Sequence, residues 1–226
     1  MSLKTILILI PLLPLAAAAI AGLLRNQIGR AGSHWVTILG VAVSFALSAY
    51  VLYLQMYGGL GTQNISVYTW MVADGIKFEI GFLIDHLTAL MMVVVSFVSF
   101  MVHIYTIGYM ADDAHNWPDD SKAGANSYQR FFAYISLFTF SMLMLVMANN
   151  FMQLFFGWEA VGLVSYLLIG FWFKRESAIY AGLKAFLVNR VGDFGFLLGI
   201  AAVLLTFGTL DYVEVFGQVN DVVGQT

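Results

Sequence analysis

The 226-residue chain has no cysteine, three prolines and few charges. Without thiols it can form no disulfide, no thiolate-ligated iron–sulfur cluster and no cysteine zinc site. Charged residues make up 10% of it, against about 25% in a soluble domain. Apolar residues make up 61%. A water-soluble fold of this size would need far more polar surface. The composition therefore predicts an all-α polytopic membrane protein. The net charge of −3 is too small to indicate a partner. Nucleotide motifs are missing as well: no Walker loop, no dinucleotide fingerprint and no nucleophile elbow. No residue pattern binds a nucleotide or moves an electron, and no nucleic-acid partner is expected.

What is present is a series of long apolar runs. A span takes about 17–25 residues, and six runs qualify: roughly 5–24, 35–57, 83–108, 129–148, 151–172 and 180–207. Only Asn149 and Asn150 separate the fourth from the fifth, which predicts a tight helical hairpin. Residues 58–82 alternate β-branched and aromatic side chains around Ala73-Asp74-Gly75. That pattern predicts a small β-hairpin with an Asp-Gly turn outside the membrane. Residues 109–128, with Asp112, Asp113, Asp119 and Asp120 around Trp117-Pro118, read as an acidic, solvated loop. Residues 208–226 read as a polar tail.

Residues 1–24, with Lys4, an apolar core and Ala16–Ala19, have some features of a signal peptide. The charge distribution argues for a retained span. With the N-terminus outside, the inner segments hold Arg25, Arg30, Lys122, Arg130, Lys174 and Arg175, and the outer ones only Lys4 and Lys77. That asymmetry obeys the positive-inside rule, and the reverse topology breaks it.

Against this apolar background the intramembrane charges stand out. In FFGWEAVGLVSYLLIGFW (155–172) only Glu159 is foreign to lipid. It lies about 12 Å along its helix from the outer end, too deep to snorkel. A carboxylate at mid-membrane costs at least about 2.5 kcal/mol. Its structural alternative is a buried neutral carboxyl or a packing ion pair. Its functional reading is a proton or ion site, with Gly162 leaving room one turn away and Tyr166 offering a hydroxyl two turns away. The sixth run, KAFLVNRVGDFGFLLG (184–199), adds three charges. Arg190 and Asp193 share a helix face and can pair. They read either as a structural lock or as an inner-side relay feeding Glu159. Lys184 falls on the opposite face from Asp193, near the inner end, where it can snorkel.

In the third run Asp85, Thr88, Met92, Ser96, Ser99 and His103 share one side of a helical wheel. Such a stripe faces the bundle interior or a wet cavity. It serves interhelical hydrogen bonding, or a water-lined track with His103 as its titrating group. The spacing argues against haem ligation by His86 and His103, which lie about 25 Å apart on one helix.

FFGWEAVGLVSYLLIGFW and NRVGDFGFLLG resemble the antiporter-like L-subunit family of proton-pumping NADH:quinone oxidoreductase, complex I, called subunit 5 in the mitochondrially encoded set. The order of elements agrees: two helices, an outer hairpin, IDHLTALM opening the third helix, HIYTIGYM closing it, then the tight pair. The resemblance implies that Glu159, Asp193, Arg190, Lys184 and His103 belong to the proton-transfer machinery. It implies residues 1–128 as N-terminal helices with the hairpin and inner loop, and 129–226 as the start of the translocating bundle with the tail. Its partners would be protons, the lipid bilayer and the other membrane subunits. FMN, iron–sulfur clusters and NADH would sit on other subunits, and no cofactor is expected on this chain. The setting would be a bacterial inner membrane, or a mitochondrial inner membrane. The family pairs its glutamate with a lysine on a broken seventh helix, which lies beyond Thr226. The chain is therefore expected to be an N-terminal portion that does not pump alone. Without that lysine, Glu159 is expected to stay neutral. The alternatives are a subunit of an Mrp-type cation/proton antiporter and a non-pumping structural fragment.

Overall fold

Each apolar run folds as a helix long and apolar enough to cross a membrane. The computed structural model describes residues 2–73, 76–117 and 124–222. Its order is α1 (Leu3–Leu23), α2 (Arg25–Met56), β1 (Gln63–Ala73), β2 (Ile76–Ile84), α3 (His86–Tyr109), α4 (Ser127–Val146), α5 (Phe151–Ile169) and α6 (Glu176–Phe207). Two short helices follow, α7 (Tyr212–Gly217) and α8 (Val219–Val222). The expected polytopic helical class and small antiparallel hairpin are both present. Boundaries differ for local reasons. α3 starts at His86 because Asp85 caps it, accepting the Thr88 N–H at 2.7 Å; residues before that belong to β2. α2 starts earlier than its apolar run and bends at Gly29, whose φ of +63° suits only a residue without Cβ.

Pro14 in α1 has no N–H for the carbonyl of Ile10. An orphan carbonyl in lipid is costly. Ser44 of α2 supplies the missing donor, its Oγ 2.7 Å from that carbonyl oxygen. Ser136 of α4 donates to the carbonyl of Pro14 itself at 2.9 Å. Two hydroxyls thus tie the proline segment of α1 into the bundle. The α4–α5 pair packs more closely still. A Cβ at Gly157 would lie 2.7 Å from the Leu145 Cα, so only glycine admits this approach.

The hairpin runs from Gln63 opposite Ile84 to Ala73 opposite Ile76; the predicted Asp74-Gly75 turn lies outside the described residues. Phe82 and Ile84 are buried with Ile6, Leu7, Val51, Leu143 and Met147 in one core. Lys4 donates to the Ser66 carbonyl at 2.8 Å. Asn149, between α4 and α5, donates to Asn64 at 2.9 Å and to Glu79 at 3.1 Å. The segment after α6 joins this end. Phe151 N–H bonds to the Leu210 carbonyl and Tyr212 N–H to that of Asn149, each at 3.0 Å. The predicted polar tail is thus anchored as far as α7.

The opposite end gathers the other connections, as alternating spans require. Arg30 donates to the carbonyls of Met110 and Ala111 at 2.9 Å. The expectation of a solvated acidic loop fails at Asp113, which is 3% exposed. It accepts the indole N–H groups of Trp117 and Trp172, both at 2.8 Å, and Asn116 at 3.1 Å. Burial raises its carboxyl pKa, but the hydrogen bonds from Ser127, Trp117, Trp172 and Asn116 outweigh it and hold the group below its ordinary value. Asp119 and Asp120 lie outside the described residues.

Candidate functional site: a charged triad between α5 and α6

α5 carries Trp158 and Glu159 at its middle. α6 carries Arg190 and Asp193, each fourteen residues from one end of that helix, or about 21 Å in. The pair is therefore at mid-helix and not toward the inner side. Arg190 NH1 contacts Glu159 Oε2 directly. Its NH2 lies 3.2 Å from Asp193 Oδ2. One guanidinium thus bridges two carboxylates on two helices. This corrects two expectations. The Arg190–Asp193 pair does not feed Glu159 from a distance, and Glu159 does have a cation beside it.

The three side chains differ in burial. Asp193 is 8% exposed, Glu159 24% and Arg190 37%. The second Asp193 oxygen, Oδ1, accepts the indole N–H of Trp158 at 2.7 Å. Arg190 also lies over the Phe186 ring at 4.9 Å, a cation–π contact, and its buried Nε has no partner among the described residues. A Cβ at Gly162 would sit 3.9 Å from Arg190 NH2, so this glycine leaves space beside the guanidinium, as its position suggested. Arg190 cannot lose its proton. With both carboxylates ionised the triad carries one excess negative charge, and one added proton neutralises it. Two acids and one fixed cation can therefore hold or release a single proton.

The other candidates lie elsewhere. Lys184 is exposed, and no ion pair or hydrogen bond among the described residues joins it to the triad. His103 is fully buried between α3 and α4. Its Nδ1 is 2.8 Å from the Ser99 carbonyl, its ring meets Phe132 edge-on at 6.1 Å, and its Nε2 has no partner among the described residues. The predicted polar stripe does face the interior, with Met92, Ser96 and His103 fully buried. Most of it is satisfied locally. Ser96 bonds back to the Met92 carbonyl at 2.6 Å, and Ser99 crosses to Thr139 of α4.

Trp158 and the Asp113 cluster are polar features that the sequence reading did not single out. Tryptophan next to glutamate in an apolar run looks like lipid-facing bulk. Its partner lies 35 residues away, beyond any helical period.

Comparison with known proteins places the chain in a family. Residues 70–132 match the family described as NADH-Ubiquinone oxidoreductase (complex I), chain 5 N-terminus. Residues 148–225 match that described as NADH:quinone oxidoreductase/Mrp antiporter, TM. The NADH-quinone oxidoreductase subunit L of Neisseria meningitidis serogroup A is 62% identical over 223 residues, 98% of this chain and 32% of that protein. The NADH-ubiquinone oxidoreductase chain 5 of Rhizopus stolonifer is 44% identical over 205 residues, 90% of this chain and 29% of that protein. In fold, a chain of the membrane-bound sulfane sulfur reductase, an archaeal respiratory membrane complex, superposes with a TM-score of 0.75. That match covers 96% of this chain and 40% of the other, at 20% identity. The chain spans about a third of the length of the curated relatives it matches. It belongs to the antiporter-like subunit L/chain 5 family of NADH:quinone oxidoreductase membrane subunits.

Proposed function

We propose that the chain carries part of the proton path of a redox-driven pump, as a membrane subunit of NADH:quinone oxidoreductase. The observation that carries this reading is Arg190 shared between Glu159 and Asp193 in the middle of two spans. A proton arriving at the triad loosens one carboxylate from Arg190, and a proton leaving restores the contact. Such a cluster couples its protonation to the position of one charged side chain, and hence to charges on neighbouring elements. Glu159 is the proton-carrying group, and Arg190 and Asp193 are its charge partners. Lys184 and His103 are outlying members of the path, since neither touches the triad here.

Quinone reduction belongs to the whole complex. FMN, iron–sulfur clusters and NADH are assigned to other subunits. This chain has no cysteine, and among the described residues no group of three or more histidine, aspartate or glutamate side chains is placed to hold a metal ion. Its partners are the neighbouring membrane subunits and the bilayer. The end bearing Arg25, Arg30, Arg130, Lys174 and Arg175 faces inward, by the positive-inside rule. Residues 1–128 supply the N-terminal helices with the hairpin and inner loop, and 129–226 begin the translocating bundle, a division supported by the triad lying wholly on α5 and α6. The membrane is a bacterial inner membrane, a reading supported by the 62% identical bacterial relative. A second reading, a subunit of an Mrp-type cation/proton antiporter, is supported by the joint description of the family matched at 148–225.

Glu159→Gln tests the proposal. Glutamine keeps the size and hydrogen bonding but cannot carry the proton. In the complete subunit, assembled in its complex in proteoliposomes, it should abolish or strongly lower protons pumped per NADH. Normal assembly with unchanged pumping would refute the reading. NADH oxidation by membranes with and without the subunit separates the two readings, because an antiporter subunit would leave it unaffected.

A further inference from the structure

Glu159 and Asp193 share Arg190 on unequal terms. Asp193 is the more buried carboxylate, and both its oxygens face groups that can only donate. Trp158 Nε1 lies 2.7 Å from Oδ1, and Arg190 NH2 lies 3.2 Å from Oδ2. An indole N–H and a guanidinium offer hydrogens and no acceptor. A proton placed along either of these contacts would point at another hydrogen. Glu159 meets Arg190 through Oε2. Among the described residues its Oε1 has no hydrogen-bond partner, so that oxygen is free to take a proton.

The indole is held in place independently of its hydrogen bond. Phe196 stands one turn beyond Asp193 on α6. It packs edge-on against Trp158 with ring centroids 5.7 Å apart, and Phe155 of α5 supports Phe196 at 6.0 Å. Trp158 and Glu159 are adjacent on α5, so their side chains diverge by about 100° around the helix axis. The helix thus sends a neutral donor to one carboxylate and presents the other to the guanidinium.

We propose that Trp158 is a positioning residue that keeps the transferable proton off Asp193 and directs it to the open oxygen of Glu159. This rests on the reading of Glu159 as proton carrier. A proton delivered from water forms an O–H bond at Glu159 Oε1. Arg190 then releases Glu159 Oε2 and stays on Asp193, whose charge the indole helps to hold. No other bond forms or breaks, and loss of the proton reverses the movement. Without the indole, Asp193 Oδ1 lacks a donor just as Glu159 Oε1 does, and the proton divides between the two acids.

The test uses the complete subunit in its assembled complex, with the C=O stretch of protonated carboxyl groups recorded by difference infrared spectroscopy during turnover. In the native protein Glu159→Gln should remove a carboxyl band that Asp193→Asn leaves in place. Trp158→Phe keeps the aromatic packing on Phe196 and removes only the donor. It should add a second band that disappears when combined with Asp193→Asn, and coupled turnover should fall several-fold. Trp158→His carries a ring nitrogen, Nε2, at the position of the indole Nε1. It should restore the single-band spectrum and most of the turnover. A merely structural tryptophan would change assembly or rate without creating an Asp193-dependent band. If Trp158→Phe gives the native spectrum, the proposal is overturned. If Trp158→Phe does not assemble, Trp158→His decides: an Asp193-dependent band despite its N–H overturns the proposal, and its absence supports it. A native band that survives Glu159→Gln overturns the Glu159 reading itself, and this proposal with it.

Discussion

Asp113 and Asp193 are both buried aspartates that accept indole N–H groups, yet their surroundings differ. Asp113 lies at the end of the bundle away from the hairpin, where Trp117 and Trp172 reach it from two connecting segments and Asn116 adds a third donor. Arg130, on the neighbouring α4, lies over the rings of Trp117, Phe171 and Phe173 at 4.9–5.2 Å. Among the described residues, Asp113 thus has donors of its own and no competitor for them. Asp193 has one indole and a guanidinium that it shares with a second acid. The first arrangement holds one state. On the function proposed above, the second has two states that differ by the place of one arginine, which is what a site coupling protons to conformation requires. Indole, carboxylate and arginine make a fixed joint in one place and an exchangeable one in the other. The difference lies in whether a charge is contested.

The largest stability effect is expected at the fixed joint. Asp113→Ala leaves two indole N–H groups without their acceptor, and an unsatisfied buried donor costs about 1–3 kcal/mol. The loss should therefore be about 2–5 kcal/mol and should loosen the α5–α6 turn that Trp172 anchors. Trypsin cleavage after Lys174 and Arg175 in opened membrane vesicles reads this directly. Cleavage at the native rate would show that Asp113 holds nothing. The pH dependence has a definite sign. The folded carboxyl lies below its ordinary value. Its contribution is therefore fully present above the unfolded pKa and is lost as pH falls through the lowered folded value. Protection of the turn should be unchanged through neutral pH and decline only in acid, and Asp113→Ala should remove that decline.

A smaller effect sharpens the contrast at the shared joint. Arg190 keeps one partner in Glu159→Gln and one in Asp193→Asn, and loses both in the double variant. The double change should therefore lower assembly of the subunit by more than the sum of the singles, with a coupling of about 0.5–3 kcal/mol. Simple additivity would mean that Arg190 is not shared, and the triad would reduce to an ordinary pair beside an independent acid.

These features were unequally legible in the sequence. The six spans, the hairpin and the depth of Glu159 follow from apolar run length and strand alternation, which are local and periodic. The Arg190–Asp193 pair follows from i,i+3 spacing on one helix. The contact of Arg190 with Glu159 does not, because it depends on how α5 and α6 rotate against each other, and no spacing encodes that. Asp113 was misread for the same reason. Four aspartates around Trp117-Pro118 look solvated until Trp172, 59 residues on, closes over one of them. The anchoring of the polar tail is not legible either, because its anchors, the backbone groups of Asn149 and Phe151, carry no side-chain signature.

The smallest effect concerns Gly162 and asks whether the shared joint moves. Gly157 and Gly162 lie on the same helix and do opposite things. At Gly157 a Cβ would meet the Leu145 backbone at 2.7 Å, while at Gly162 the nearest atoms, Arg190 NH2 and Asn189 Nδ2, are 3.9 Å away. Alanine therefore fits at 162 without displacing anything in the resting arrangement. As a helix-interior change from glycine it should even add stability, up to about 1 kcal/mol. A methyl group there fills the space into which the guanidinium can swing when it releases Glu159. Gly162→Ala should assemble at least as well as the native subunit and pump at a rate roughly two- to fivefold lower, a barrier change of about 0.4–1 kcal/mol. Stability measured by trypsin resistance and pumping measured in proteoliposomes should thus move in opposite directions. Native pumping rates in a well-assembled Gly162→Ala complex would mean that the room beside Arg190 is not used. The guanidinium would then be as fixed as the donors around Asp113, and the contrast between the two centres would fail.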